Sequence, residues 1–423
     1  MKSFKLLLTL LAMIILGSVV FAQASTEKST KKTQLQIVHW NNLGDDVIAK
    51  FEQENPDIEV LFEKFTVDQF MQVMKTRVAS GEIPDIIGAQ ENDFPVFLKN
   101  GIYKDITDYD FVKRLTLNAQ KELLAFGDGR IYAIPSNAWA MGIFINVDMF
   151  KQHGIKIPEN YQDLHTAAQA FRQKGIAPFV QGIKDSWTVN QMFIPQFRLQ
   201  VDTPQYYDNV KTGTAKWTDP KMVKAYQEWY DLFAAKGMMF EGSLGITYEQ
   251  AYQLFAQGRV PMWPMGTWAA ELFKDDAGKP VKLSFEMDFI PQFGNDTGEE
   301  VINAATNIGA MYSISSSTKK LDAAIRFLDW LTMRENAEFF AQKTGLLFPI
   351  QGVDFSEVVP YGNKLIPATF EVKVLNPFDV FVDPAVKQQL TVMNQNLLAG
   401  IGTVKSELEK VQKAQEIANL ERK

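Results

Sequence analysis

The sequence predicts an α/β protein built from two lobes, on three observations. Strand-like and helix-like apolar periods alternate between residues 35 and 89. The same mixture of periods runs on to the C-terminus. A chain of 423 residues with 46% apolar content exceeds one typical domain.

Residues 35–40 alternate as a strand, and a loop follows over residues 41–44. Val47, Ile48 and Phe51 then recur at helical spacing until Asn55-Pro56 stops the helix. Residues 58–62 read as a second strand. Phe70, Val73, Met74 and Val78 mark a second helix that ends at Ser80-Gly81, and residues 85–89 make a third strand. Strands joined by helices at this spacing imply a parallel sheet with crossover helices. Further on, residues 131–135 and 141–146 read as strands, and residues 163–174, 219–236 and 248–258 as helices. Residues 262–266 read as a short strand broken by Pro264, with Gly266 expected to let the chain turn sharply. Trp268 then opens a helix through Leu272 and Phe273. Residues 321–332 carry one apolar helical face. Val404, Leu408, Val411, Gln415 and Ala418 mark a closing amphipathic helix whose stripe should pack on a lobe.

The N-terminus has the order of a secretory signal: Lys2 and Lys5, an apolar run over residues 6–20, then Ala22-Gln23-Ala24. The run is shorter than the roughly 20 residues that span a bilayer. Residues 1–24 are therefore expected to be cleaved and residues 25–33, rich in Ser, Thr and Lys, to form a disordered leader. No cysteine occurs, which excludes disulfides, thiolate chemistry and a lipid-anchored cysteine after the signal. The expected location is the periplasm, in free form. With 43 basic and 50 acidic residues the chain is acidic, and an acidic surface disfavours nucleic acid as a partner.

Several segments, taken in order, resemble the family-1 extracellular solute-binding proteins. They include Phe51-Glu52-x-x-Asn55-Pro56-x-Ile58-x-Val60, Ser80-Gly81-x-x-Pro84-Asp85-Ile86-Ile87 and Asn100-Gly101-Ile102-Tyr103-x-Asp105-Ile106. Gly129-Arg130-Ile131-Tyr132-Ala133-Ile134-Pro135 and Ile145-Asn146-x-Asp148-Met149-Phe150 follow. Met262-x-x-x-Gly266-x-Trp268, Ala323-Ala324-x-x-Phe327-Leu328 and Gly400-x-x-Thr403 complete the series. The resemblance implies a periplasmic-binding-protein-like fold: two α/β lobes around a central ligand cleft, with strands crossing between them more than once at a hinge. One lobe would comprise residues 33–137 and 313–352, the other residues 138–312 and 353–423. It further implies a monomeric, non-enzymatic protein that captures a sugar by lobe closure and delivers it to the permease subunits of an ABC-type importer, without cofactor or metal.

Sugars offer hydroxyl edges and weakly apolar faces, so a sugar cleft needs aromatic platforms together with carboxylates and amides. A lone Trp is by default partly buried packing. Position changes that weighting, because ligands of open α/β sheets sit beyond the carboxyl ends of strands. Trp40 and Asn41 follow the first strand, and Glu91, Asn92 and Asp93 follow the third. The resemblance places sugar contacts at the latter three, at Asp185 and Trp187 in the second lobe, and at Trp268. Trp139 stands where a sugar-binding relative carries a glutamate, and Gly88-Ala89 replaces a bulky aromatic. Asn307 and Phe348 are further candidates, for which core or turn roles are equally open.

Three histidines, none paired at ligand spacing, leave little material for a zinc site or for Ser/His/Asp and Cys/His chemistry. No phosphate-cradling glycine loop occurs. Two alternatives stay open at this point: the same fold binding a peptide, polyamine or organic anion, and a secreted carbohydrate-active enzyme using a carboxylate pair.

Overall fold

The computed structural model describes residues 32–90, 94–126, 128–139, 141–190, 192, 203–275, 279–291, 307–353 and 382–422. The expected signal segment and all but the last two residues of the leader lie outside them. So do Glu91, Asn92 and Asp93.

The chain opens β1 (Thr33–His39), α1 (Asp45–Glu54), β2 (Ile58–Lys64), α2 (Val67–Ser80) and β3 (Ile86–Ala89). This is the alternation read from the sequence, and β1 pairs in parallel with both β2 and β3. Local chemistry sets the boundaries. Thr66 and Gln69 form a reciprocal cap at the start of α2, and Gly81, at φ 77°, ends it in the left-handed conformation that glycine adopts without strain. There follow α3 (Phe94–Lys99), α4 (Leu117–Phe126), β4 (Ile134–Pro135), β5 (Ala138–Trp139), β6 (Met141–Asn146), α5 (Val147–His153), α6 (Tyr161–Gln173), α7 (Thr203–Thr212) and α8 (Pro220–Trp229). The helix expected over 219–236 is regular only to Trp229 and continues as a π turn, Tyr230–Ala234. The strand expected over 131–135 is reduced to its last two residues.

The remaining elements are α9 (Tyr248–Ala256), β7 (Met262–Gly266), a 3-10 helix over Thr267–Phe273, β8 (Met287–Pro291), β9 (Asn307–Ile308), β10 (Met311–Ile314), α10 (Leu321–Leu331), α11 (Arg334–Thr344), α12 (Pro384–Leu398) and α13 (Val404–Glu421). The first sheet runs β2-β1-β3-β10-β4, with β10 antiparallel to its neighbours. It therefore takes in Met311 and Tyr312, two residues before the expected lobe boundary at 313. The second sheet, β7-β6-β8, is antiparallel.

Buried apolar residues separate accordingly. One core draws on residues between Leu35 and Ile134 and between Ile308 and Ile350. The other lobe is filled by residues between Ile143 and Ile290 and by α12 and α13. The closing helix packs on this second lobe, burying Val404, Leu408, Val411 and Ala418. Its Gln415 also accepts the indole N–H of fully buried Trp217 at 3.1 Å.

Among the described residues, the backbone passes between the lobes at two places, residues 136–139 and 307–310, and Leu347 of the first lobe bonds to the former. The Ser136 N–H donates to the Ala310 carbonyl at 2.7 Å, Gly309 N–H to Asn137 at 2.8 Å, and Ala138 N–H to Leu347 at 2.6 Å. These contacts form the hinge, and the cleft opens beside them.

Candidate functional site

A cleft of about 1030 Å³ lies between the lobes and is lined from both sides. Its size is at the upper end of the range for small-molecule sites. On the first lobe its wall is the carboxyl ends of the parallel strands, where open α/β sheets bind ligands. Trp40 and Asn41 follow β1, Lys64 ends β2, and Gln90 follows β3.

Packing fixes the Trp40 indole. It stacks on the His39 ring at 4.4 Å and meets Phe70 of α2 edge-on at 4.8 Å. A Cβ at Gly88 would stand 2.8 Å from the His39 ring and 3.0 Å from the Trp40 ring. The small residue at 88 thus makes room for the two rings supplied by β1. Burial holds His39 far below the usual histidine range, at about 3, so the imidazole is neutral. Its Nδ1 accepts the Asn41 N–H at 2.8 Å and positions the start of the loop.

The second lobe brings three indoles together. Trp139, 4% exposed, meets Trp268 edge-on at 5.1 Å, and Trp187 lies 6.1 Å from Trp268 and 5.2 Å from Tyr248. Trp268 is half-buried and packs against the cores of both lobes. The expected turn at Gly266 is corrected by its backbone, which is extended at φ −78° and ψ 162°. Glycine is required there for space: a Cβ would fall 1.9 Å from the Trp268 ring, which lies back over the end of β7. The helix expected after it is the 3-10 helix.

Asp185 lines the cleft, and its Oδ2 accepts the Tyr248 N–H at 2.7 Å. That bond places a carboxylate at the N-terminus of α9, where the helix dipole favours negative charge. Asp185 therefore also anchors the helix that carries Tyr248 and Glu249.

The other candidates fall differently. Phe348 is fully buried in the first lobe's core, 5.8 Å from Phe340, so the packing role left open for it is the one the fold uses. Asn307 pairs by its backbone with Trp139 across the β5–β9 ladder, which puts it at the hinge.

Sequence reasoning missed several groups on the cleft wall: Lys64, Asn137, Glu249, Glu271 and Lys387. Asn137 is 3% exposed and its Oδ1 has no hydrogen-bond partner. Glu271 follows Trp268 by three residues, the spacing that aligns side chains on a 3-10 helix. Its carboxyl Oε2 is buried and unpartnered. Burial pushes this carboxyl up to about 7, against the pull of Lys64 and with a further push from Glu249. Buried polar atoms normally have partners, so unpaired acceptors on a cleft wall are positions where a ligand's donors would fit.

The site thus offers indole platforms from both lobes, unpaired amide and carboxyl acceptors, and few net charges. Among the described residues, no group of three His, Cys, Asp or Glu could hold a metal ion.

The family model described as bacterial extracellular solute-binding protein matches residues 42–338. A multiple sugar-binding protein from Streptococcus mutans serotype c is 26% identical over 357 residues, covering 81% of this chain and 82% of its own. Among solved structures, a chitin oligosaccharide binding protein superposes with a TM-score of 0.78 at 26% identity, covering 92% of this chain and 100% of its own. The solute-binding protein RafE in complex with raffinose gives a TM-score of 0.75 at 22% identity, covering 91% and 100%; at that identity the likeness is one of fold.

Proposed function

From the premise that this chain belongs to the bacterial extracellular solute-binding proteins, whose model covers residues 42–338, we propose that it captures an oligosaccharide between its lobes and hands it to an ABC-type importer. The observation that carries the reading is the cleft itself. Trp40 from one lobe faces the same cavity as Trp139, Trp187 and Trp268 from the other, beside the unpaired Oδ1 of Asn137 and Oε2 of Glu271. Indoles suit the apolar faces of pyranose rings, and unpaired acceptors suit their hydroxyls. The lining places Lys64 and Lys387 against Asp185, Glu249 and Glu271, a near balance that favours a neutral polyol over a polyamine or an organic anion.

The names of the multiple sugar-binding and chitin oligosaccharide binding relatives support the same ligand class. Family membership implies export. The finer reading is a periplasmic monomer released by cleavage after Ala24, without a lipid anchor, without catalytic activity and without affinity for nucleic acid. Closure around the sugar would create the form that the permease subunits recognise.

A thermal-shift screen of the mature chain against raffinose, maltose, chitin and xylan oligosaccharides tests the proposal. Ligand at 100 times its dissociation constant adds about 2.7 kcal/mol of stability. A transition unmoved by every sugar, but raised by a polyamine or an organic anion, would replace the sugar reading.

A further inference from the structure

The aromatic cleft does not end at Trp268. A second cavity of about 570 Å³ adjoins it, and Lys64, Glu249, Glu271 and Leu272 line both. Building on the sugar reading above, we infer that this adjoining chamber is a further subsite for additional units of a linear oligosaccharide, gripped by their hydroxyl edges and reached through the throat between Lys64 and Glu271.

Four observations carry the inference. First, both lobes line the chamber: Asn42, Lys64 and Thr344 on one side, Gln253, Gln257 and Lys282 on the other. Closure would therefore narrow it together with the main cleft. Second, the unpartnered Oε2 of Glu271 stands where the two cavities meet, an acceptor for a hydroxyl on a unit passing from one to the other. Third, Glu249, Gln253 and Gln257 are spaced by four residues along α9 and the turn after it, so they form one stripe facing the chamber. Gln253 and Gln257 are exposed, and an amide both donates and accepts, as a sugar hydroxyl requires.

Fourth, charge argues for a neutral occupant. Lys64, Lys274, Lys282 and Lys343 stand against Asp45, Asp46, Glu249, Glu271 and Asp275. Two of these lysines are already engaged, Lys343 with the Asp46 carboxylate and Lys274 with the Gln342 carbonyl. Among the described residues, no tryptophan lines this chamber. It has an aliphatic floor of Ala256, Val281 and Leu283 with polar walls, so ring edges would supply most of the contact.

The test is a length series measured by calorimetry on the mature chain: raffinose, stachyose and verbascose, and chitin oligosaccharides of two to five units. In the series that binds, affinity should tighten about tenfold or more for a unit that enters the second chamber. The double variant Gln253→Ala, Gln257→Ala should bring the ratio of long-sugar to short-sugar affinity close to one. A flat length series in the unaltered protein overturns the inference and leaves the sugar reading standing. So does a length ratio that survives intact in the double variant, once circular dichroism shows it folded. Failure of every sugar to bind overturns both.

Discussion

Replacing Trp268 with alanine separates a ligand platform from ordinary packing. The indole is half-buried, lies over Gly266, and touches Trp139 and Trp187 at ring distances of 5.1 and 6.1 Å. Each aromatic contact contributes about 0.5–1.5 kcal/mol beyond area burial, so losing both costs the fold about 1–3 kcal/mol in addition to the apolar area uncovered. Because the ring is only half-buried, that area part is smaller than for a fully buried tryptophan, whose truncation costs roughly 3–5 kcal/mol in all. The effect on binding is larger relative to its scale. Stacking of a nucleic-acid base on an aromatic ring is worth about 1–3 kcal/mol on alanine substitution, and a pyranose face on an indole should be of the same order. Affinity should therefore fall about 5- to 150-fold. Calorimetry with the sugar found by screening, and urea unfolding, are both run on Trp268→Ala. Trp217→Phe serves as the control, because Trp217 is fully buried in the second lobe and absent from the cleft lining. The control should lose stability and keep its affinity. A Trp268→Ala protein that keeps full affinity while losing about 4 kcal/mol of stability would refute the platform argument.

Two further predictions concern the fold that holds the site. Glu122 of α4 is buried against the hinge, its Oε2 accepting the Ile308 N–H at 3.1 Å, and burial pushes its carboxyl up to about 8. The folded state thus holds that proton more tightly than the unfolded chain. The resulting stability is complete below about pH 4.5 and is lost as pH rises toward 8. Glu122→Gln keeps an acceptor for Ile308 and removes the titration, so urea unfolding should show a flatter pH dependence. The unaltered protein should lose at least about 1.4 kcal/mol more than the variant between pH 5 and 8, one pKa unit's worth; parallel curves would contradict this. Asp85, only 6% exposed, accepts the Gln36 N–H at 2.9 Å, the Thr318 hydroxyl at 2.6 Å and the Lys320 ammonium at 3.0 Å. Asp85→Ala strands these donors and should cost about 2–3 kcal/mol, and Asp85→Asn less, because an amide oxygen still accepts; equal losses would show that charge, not hydrogen bonding, dominates there.

What was legible in the sequence follows from how local each signal is. The β1–α1–β2–α2–β3 series is written in apolar periods and in its punctuation, Asn55-Pro56 and Ser80-Gly81, so its order was readable directly. Trp40 and Trp268 could be placed because each follows a strand end. The reason for Gly266 was not readable: its constraint is the volume of a ring two residues on, whereas its backbone is ordinary. Phe348 sits in the run Leu346-Leu347-Phe348, which reads as core as readily as site, and three-dimensional packing alone decides it. Asn137 and Glu271 are ordinary polar residues in sequence. Their interest lies in oxygens left without partners by distant segments, Gly309 crowding Asn137 and Lys64 and Asn42 facing Glu271. No local pattern encodes such a vacancy. The three-residue step from Trp268 to Glu271 was the one clue available. Asp85 appeared as part of a motif, but its partners Thr318 and Lys320 lie in another part of the chain and emerge only when β10 joins the first sheet.

The central claim is capture by closure of two lobes over one cleft, and small-angle X-ray scattering of the mature chain tests it most directly. Profiles are recorded without sugar, with a saturating oligosaccharide identified by the thermal-shift screen, and with the same sugar added to Trp268→Ala at equal concentration. Closure about the hinge bonded at Ser136–Ala310, Asn137–Gly309 and Ala138–Leu347 predicts a smaller radius of gyration for the unaltered protein with sugar. It predicts a smaller contraction, or none, for the variant at a concentration below its weakened dissociation constant. A profile that stays unchanged while calorimetry shows the site saturated would contradict the clamp.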